Sequence, residues 1–169
     1  ALVELLWPLQ PKPERHLRWP TNLGLSVLNT LVLRALSMIL PVAALATAAA
    51  MFPGSGALRV IGLEGPLLQI AGFVLLDAAV YAQHRLFHVV PVFWRFHQVH
   101  HADLVLDVSS AIRFHTVEIV LSQAWKVLVV VAAGIPVEAA IAFEIVLNAS
   151  SMFSHANVAL PSSVDGLVR

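Results

Sequence analysis

The stretch Gly72–His101, GFVLLDAAVYAQHRLFHVVPVFWRFHQVHH, opens as an apolar run and closes in a histidine cluster. It continues an apolar segment, Leu63 to Ala82, whose charged residues are Glu64 and Asp77. A helix of about 20 such residues crosses a bilayer. His84 and His88 follow four apart, which puts both on one helical face. His97, His100 and His101 then form an H-x-x-H-H pattern. On a helix His97 shares a face with both later histidines, while those two diverge by about 100°. Adjacent imidazoles so placed serve two metals, a geometry suited to a dinuclear centre rather than one tetrahedral site. Arg85 stands where a zinc protease of this spacing needs a glutamate base, which excludes that chemistry.

The rest of the chain fits a lipid setting. It is 59% hydrophobic and 12% charged, with mean hydropathy +0.82. A soluble domain is about 45–50% apolar and about 25% charged. The zero net charge argues against nucleic acid as a partner. Absence of cysteine removes disulfides, thiolate metal sites and cysteine nucleophiles. Any metal must therefore be held by histidine, carboxylate, carbonyl or water.

Working outward, residues 1–20 read as an interfacial segment. Trp7 and Trp19 suit a membrane interface, and the segment lacks the basic-then-apolar order of a signal peptide. Residues 22–52 and 63–88 are expected to be membrane helices, with Pro41 kinking or splitting the first. Arg34 should snorkel or face a partner. Residues 93–118 read as a histidine-rich polar module outside the hydrocarbon. Residues 119–155 read as a helical hairpin around Gly134-Ile135-Pro136 that crosses or dips into the bilayer. The expectation is one all-α domain over 1–169: an integral membrane helical bundle with a cytoplasmic histidine-rich helical module. The cytoplasmic side follows from Lys12, Arg15 and Arg18 before the first span and Arg85, Arg95 and Arg113 after the second, against Arg59 between them.

The hairpin can return His155 to the surface that carries the other histidines. His115, within Arg113 to Glu118, reads as a support rather than a ligand. Asp103, Asp107 and Glu118 are available to fix imidazole tautomers. His16 reads as a surface residue, and Met38, Met51 and Met152 as packing residues. Glu64 and Asp77 read as helix-end charges, with a role near the metal also open to Asp77. Arg85, Arg95 and Arg113 either dock an acidic donor or lipid head group, or simply mark the cytoplasmic side.

At these residues the sequence resembles the fatty acid hydroxylase superfamily, which includes sterol desaturases, sterol methyl oxidases and alkylglycerol monooxygenase. The similarity runs from about Asp77 to Leu167. It rests on His84-Arg85-Leu86-Phe87-His88 preceded by Tyr81, on Phe96-His97-Gln98-Val99-His100-His101, on Arg113 through Glu118, and on His155-Ala156-Asn157-Val158-Ala159-Leu160-Pro161. The resemblance implies two iron ions, with zinc as a possible substitute. Their ligands would be His84, His88, His97, His100, His101 and His155, supported by His115, Glu118, Asp107, Arg113 and Asn157. It implies O2-dependent hydroxylation or desaturation of a sterol, fatty acyl or ether lipid. Electrons would come from a cytochrome b5-, ferredoxin- or reductase-type donor, and the setting would be a bacterial inner membrane with the histidines facing the cytoplasm. Members carry a further H-x-x-H-H box after the element matching His155 to Pro161, and the chain stops at Arg169. A C-terminally cut and inactive fragment is therefore a further expectation. The rivals are a membrane b-type cytochrome, which needs histidines at matching depth in facing helices, and a metal-binding or transport protein, which needs ionisable residues along its spans. A metal-free structural membrane protein would leave H-x-x-H-H unexplained.

Overall fold

A computed structural model describes residues 2–10, 15–37 and 41–168, without the side chains of 37, 41–43 and 166–168. Lys12, Glu14 and Met38 lie outside the described residues. The chain is helical, with no strand among the described residues: α1 (Leu2–Leu6), α2 (Arg15–Ser37), α3 (Pro41–Met51), α4 (Ala57–Val60), α5 (Gly65–Val89), α6 (Pro91–His97), α7 (Thr116–Ala133), α8 (Val137–His155) and α9 (Ser162–Val168). Two 3-10 turns, His100–Ala102 and Ser110–Ile112, lie between α6 and α7.

Helices α5, α7 and α8 are each long and apolar enough to cross a membrane. Local chemistry sets their ends. Pro66 sits in the first turn of α5, where a missing N–H costs nothing. Val90, the residue before Pro91, is extended (φ −94°, ψ 116°), so α5 ends there and α6 starts in a new direction. Helix α7 ends at Gly134 in the left-handed region (φ 72°), and Pro136 caps the start of α8. A Cβ on Gly134 would lie 1.8 Å from the Ser55 carbonyl oxygen, so the loop before α4 passes directly over this turn. The stretch 22–52 is carried by two helices, α2 and α3, the second beginning at Pro41. Helix α3, with 11 residues, is too short to span.

The core lies where α3, α5, α7 and α8 meet. Leu45, Leu76, Val130, Ile135, Ala140 and Phe143 are buried there, and Phe73 meets Phe143 edge-on at 5.6 Å. Gly72 lets α5 approach Ile135; a Cβ there would fall 2.9 Å from Ile135 Cγ2. The outer faces are apolar too: Leu67, Ile70 and Val74 on α5, Leu121 and Leu128 on α7, and Ile145 and Val146 on α8 are exposed. Exposed stripes of this kind on spanning-length helices are faces for lipid. Arg34 is exposed near the end of α2, and Asp77 is exposed on α5.

Helix α1 folds back onto the far end of the chain. Glu4 is buried and accepts from the Val108 N–H (2.9 Å), the Asn157 N–H (2.8 Å) and Arg15 (3.2 Å). Asn157 exchanges two side-chain hydrogen bonds with the Gln10 backbone, at 2.9 and 3.0 Å.

Candidate metal centre

The histidines converge at one end of the three long helices. The last turns of α5 carry His84 and His88, α6 ends on His97, the 3-10 turn carries His100 and His101, and α8 ends on His155. One nitrogen from each of His84, His88, His97 and His101 lies within 4.8 Å of all the others. The Nε2 atoms of His84 and His88 are 3.1 Å apart, those of His88 and His97 3.3 Å, and those of His97 and His101 3.1 Å. His100 and His155 face each other separately, Nε2 to Nε2, at 3.1 Å. The rings of His97 and His100 stack at 5.5 Å, so the group of four and the pair are neighbours.

These distances test whether a metal fits. Imidazole nitrogens bind an ion such as zinc at about 2.0–2.1 Å, which places two of them about 2.9 Å apart at right angles and about 3.4 Å apart at the tetrahedral angle. Every Nε2 contact above falls in that interval. Hydrogen bonding points the same way. His97 Nδ1 meets the Glu118 carboxylate at 2.6 Å, His100 Nδ1 meets the Arg113 carbonyl at 3.2 Å, and His155 Nδ1 meets the Ser151 carbonyl at 2.8 Å. All three partners accept, so each Nδ1 carries a proton, which in a neutral ring leaves an Nε2 lone pair turned inward. Two facing lone pairs repel unless a cation lies between them. A proton is disfavoured at His100: burial, reinforced by the nearby His155, pushes its imidazole down to about 3 against the opposing pull of the Arg113 carbonyl. A metal ion satisfies the same lone pairs without protonation.

Support comes from several elements. His97 is fully buried and Glu118, on the first turn of α7, is nearly so. Phe114 stacks flat on His100, with centroids 4.4 Å apart and planes 4° apart. Trp94 lies beside His88 and His101. His115 stands outside the cluster: its Nδ1 accepts from the Val117 N–H at 3.1 Å and caps the helix that carries Glu118. Arg113 contributes its carbonyl to His100 and its guanidinium to Val99 O, Asn22 and Asp103. Asn157 bonds Glu4 of α1 and the Gln10 backbone, and meets no imidazole among the described residues.

Asp107 contacts no histidine among the described residues, contrary to the expected tautomer-fixing role. It accepts instead from Arg18 (2.8 Å), Trp19 (3.1 Å) and the Ser109 hydroxyl (2.6 Å). The reason is that α2 brings Arg18 and Trp19 across the module, and a guanidinium outcompetes a neutral ring for a buried carboxylate. Burial alone would raise the Asp107 carboxyl. Hydrogen bonds from Ser109 and Trp19, with the Arg18 charge, outweigh it and hold the group below its ordinary range.

A cavity of about 300 Å³ opens beside the histidines. Its near end is formed by His84, His100 and His155, and its sides include Phe87 and Phe114. At its other end lie Lys126 of α7 and Glu144 of α8, buried and joined by an ion pair. Sequence reading passed over Lys126 inside an apolar run. The available signal was helical spacing: Glu118, Ser122 and Lys126 repeat every four residues, and Glu144, Asn148, Ser151 and His155 recur at i, i+4, i+7 and i+11.

A bundle of three spanning-length apolar helices that closes a histidine cage at one end defines a membrane-associated, metal-binding class of protein. The chain belongs to the fatty acid hydroxylase family, whose family model matches residues 69–168. Neither a curated protein nor a solved structure was found to match it. Family membership indicates an oxidoreductase.

Proposed function

We propose that the protein is an O2-dependent di-iron oxidase that hydroxylates or desaturates a lipid at an unactivated C–H bond, with its histidine face toward the cytoplasm. The observation that carries this reading is the set of inward Nε2 lone pairs whose Nδ1 atoms are tied to acceptors. His84, His88, His97 and His101 would hold one ion, and His100 and His155 would contribute to a second. Imidazole suits iron as it suits zinc, so zinc is a plausible occupant during purification. Iron, when bound, supplies the one-electron chemistry with O2 that amino-acid side chains lack.

The chain's own residues do the rest. Glu118, Arg113 O and Ser151 O hold three imidazoles in the Nδ1–H tautomer. The cavity beside His84, His100 and His155 receives the lipid between α5, α7 and α8, and Phe87 and Phe114 help keep water from it. Arg85 and Arg95 are exposed next to the cluster and suit the docking of an acidic electron donor.

Elemental analysis and oxygen uptake test the reading. The full-length protein reconstituted with ferrous iron should bind about two irons, His97→Ala and His155→Ala should each lower that content, and reductant plus lipid should drive O2 consumption. No bound iron and no lipid-dependent uptake would sink it.

A further inference from the structure

The buried Lys126–Glu144 pair does nothing for the histidines. Eight residues of α7 separate Lys126 from Glu118, about 12 Å along the axis, and eleven residues of α8 separate Glu144 from His155, about 16 Å. Lys126 is 9% exposed and Glu144 2%. Burying two charges in a spanning helix pair is costly, and an apolar pair of equal volume joins two helices as well or better. Fold stability therefore does not explain it. Both side chains line the cavity. Lys126 has three N–H donors, and among the described residues its ammonium meets Glu144. Asn148 donates to the Glu144 carbonyl at 2.7 Å, and Gln83 donates to the Ser122 hydroxyl at 2.9 Å. One side of an otherwise apolar cavity is thus a ladder of hydrogen-bonding groups that ends in an ammonium with donors to spare.

We propose that this end of the cavity is a binding site for a neutral oxygen function, a hydroxyl or carbonyl, on the lipid. The inference rests on the oxidase reading for its orientation and adds a substrate class. The lipid carries an oxygen roughly two to three helical turns along the bundle from the carbon it presents to the histidines. A neutral group is required because Lys126 is already balanced by Glu144. A carboxylate or phosphate would bring an uncompensated negative charge beside Glu144 in a low-dielectric site. A plain hydrocarbon chain would leave the ammonium donors unused, and sites built to hydrogen-bond an oxygen discriminate strongly against analogues that lack it.

The test is photolabelling of the full chain in nanodiscs. The probe is a long-chain alcohol with a diazirine beside its hydroxyl, competed by the unlabelled alcohol or by the matched alkane. Saturable labelling should map to α7 and α8 around Lys126 and Asn148. The alcohol should compete about tenfold better than the alkane, and the preference should fall to about threefold or less in the double variant K126M/E144L. Labelling near the histidines, absence of saturable labelling, or an unchanged preference in the folded double variant would overturn the proposal. If the double variant loses helical content, the position of the label in the native chain decides alone. Binding is read without iron, O2 or reductant. A chain that shows the preference but takes up no iron defeats the oxidase reading alone. One that takes up iron and consumes O2 without the preference defeats this inference alone.

Discussion

Replacing Glu118 by alanine separates the metal site from the fold. Its Oε1 takes a 2.6 Å hydrogen bond from His97 Nδ1, with His97 at 0% and Glu118 at 3% exposure. A hydrogen bond to a charged group contributes about 1.5–3 kcal/mol. Loss of the carboxylate partner of a ligating histidine lowers metal affinity about 10–100-fold, equivalent to about 1.4–2.7 kcal/mol. The two figures agree, so Glu118→Ala should weaken binding about 10–100-fold. Glu118→Gln keeps an acceptor oxygen but not the charge, and should lose about tenfold or less. Folding stability should suffer less than affinity. Oε2 of Glu118 is buried with no hydrogen-bond partner among the described residues, so deleting the carboxylate also relieves a desolvation cost. Anaerobic titration of the metal-free protein with Co(II), followed by its visible bands and a competing chelator, measures affinity, and thermal melting measures stability. An alanine variant that binds within about twofold of the native chain would refute the tautomer argument, since RT ln 2 is well under 1 kcal/mol.

Other outcomes follow from the same structure. Asp107→Asn should cost about 1.5–3 kcal/mol at neutral pH by weakening the bonds from Arg18, Trp19 and Ser109. Because the native carboxyl is held below its ordinary value of 3.8, its stabilisation is present above about pH 4 and is lost as pH falls through the depressed value. Melting curves of the two proteins should therefore converge on acidification. Lys126→Met leaves Glu144 buried without its cation and should destabilise by about 3–5 kcal/mol, whereas K126M/E144L should come close to native stability; denaturation in mixed micelles reads the cycle. Gly134→Ala combines a left-handed backbone with a clash on the Ser55 carbonyl and should cost more than about 2 kcal/mol. Gly62→Ala, at φ 84° in open space, should cost only about 1–2 kcal/mol for the left-handed backbone.

Much of the bundle was legible because its signals are local. The apolar runs of α5, α7 and α8, the Gly134-Ile135-Pro136 break and the i, i+4 pair His84/His88 each fit within a few turns. The pairing of His97 with Glu118 spans 21 residues, and that of His100 with His155 spans 55, so no spacing rule announces either. Asp107 was drawn toward the histidines by nearness in sequence, yet its partners arrive from α2. Lys126 was invisible for a different reason: one cation in an apolar run reads as noise until a facing helix supplies Glu144. The long stretch before α4 carried its own signal in Pro41, the residue at which α3 begins.

The grip of Glu4 on Asn157 reaches across 153 residues. Closing a loop of that length costs about 4 kcal/mol of chain entropy in the simplest polymer estimate. During synthesis Glu4 precedes Asn157, so it gains this partner only after α8 has been made. The segment after His155 is then fastened by a segment made before any of the clustered histidines. His155 joins the other histidines only after α8 has been made, so iron supplied earlier would meet a partial set of ligands.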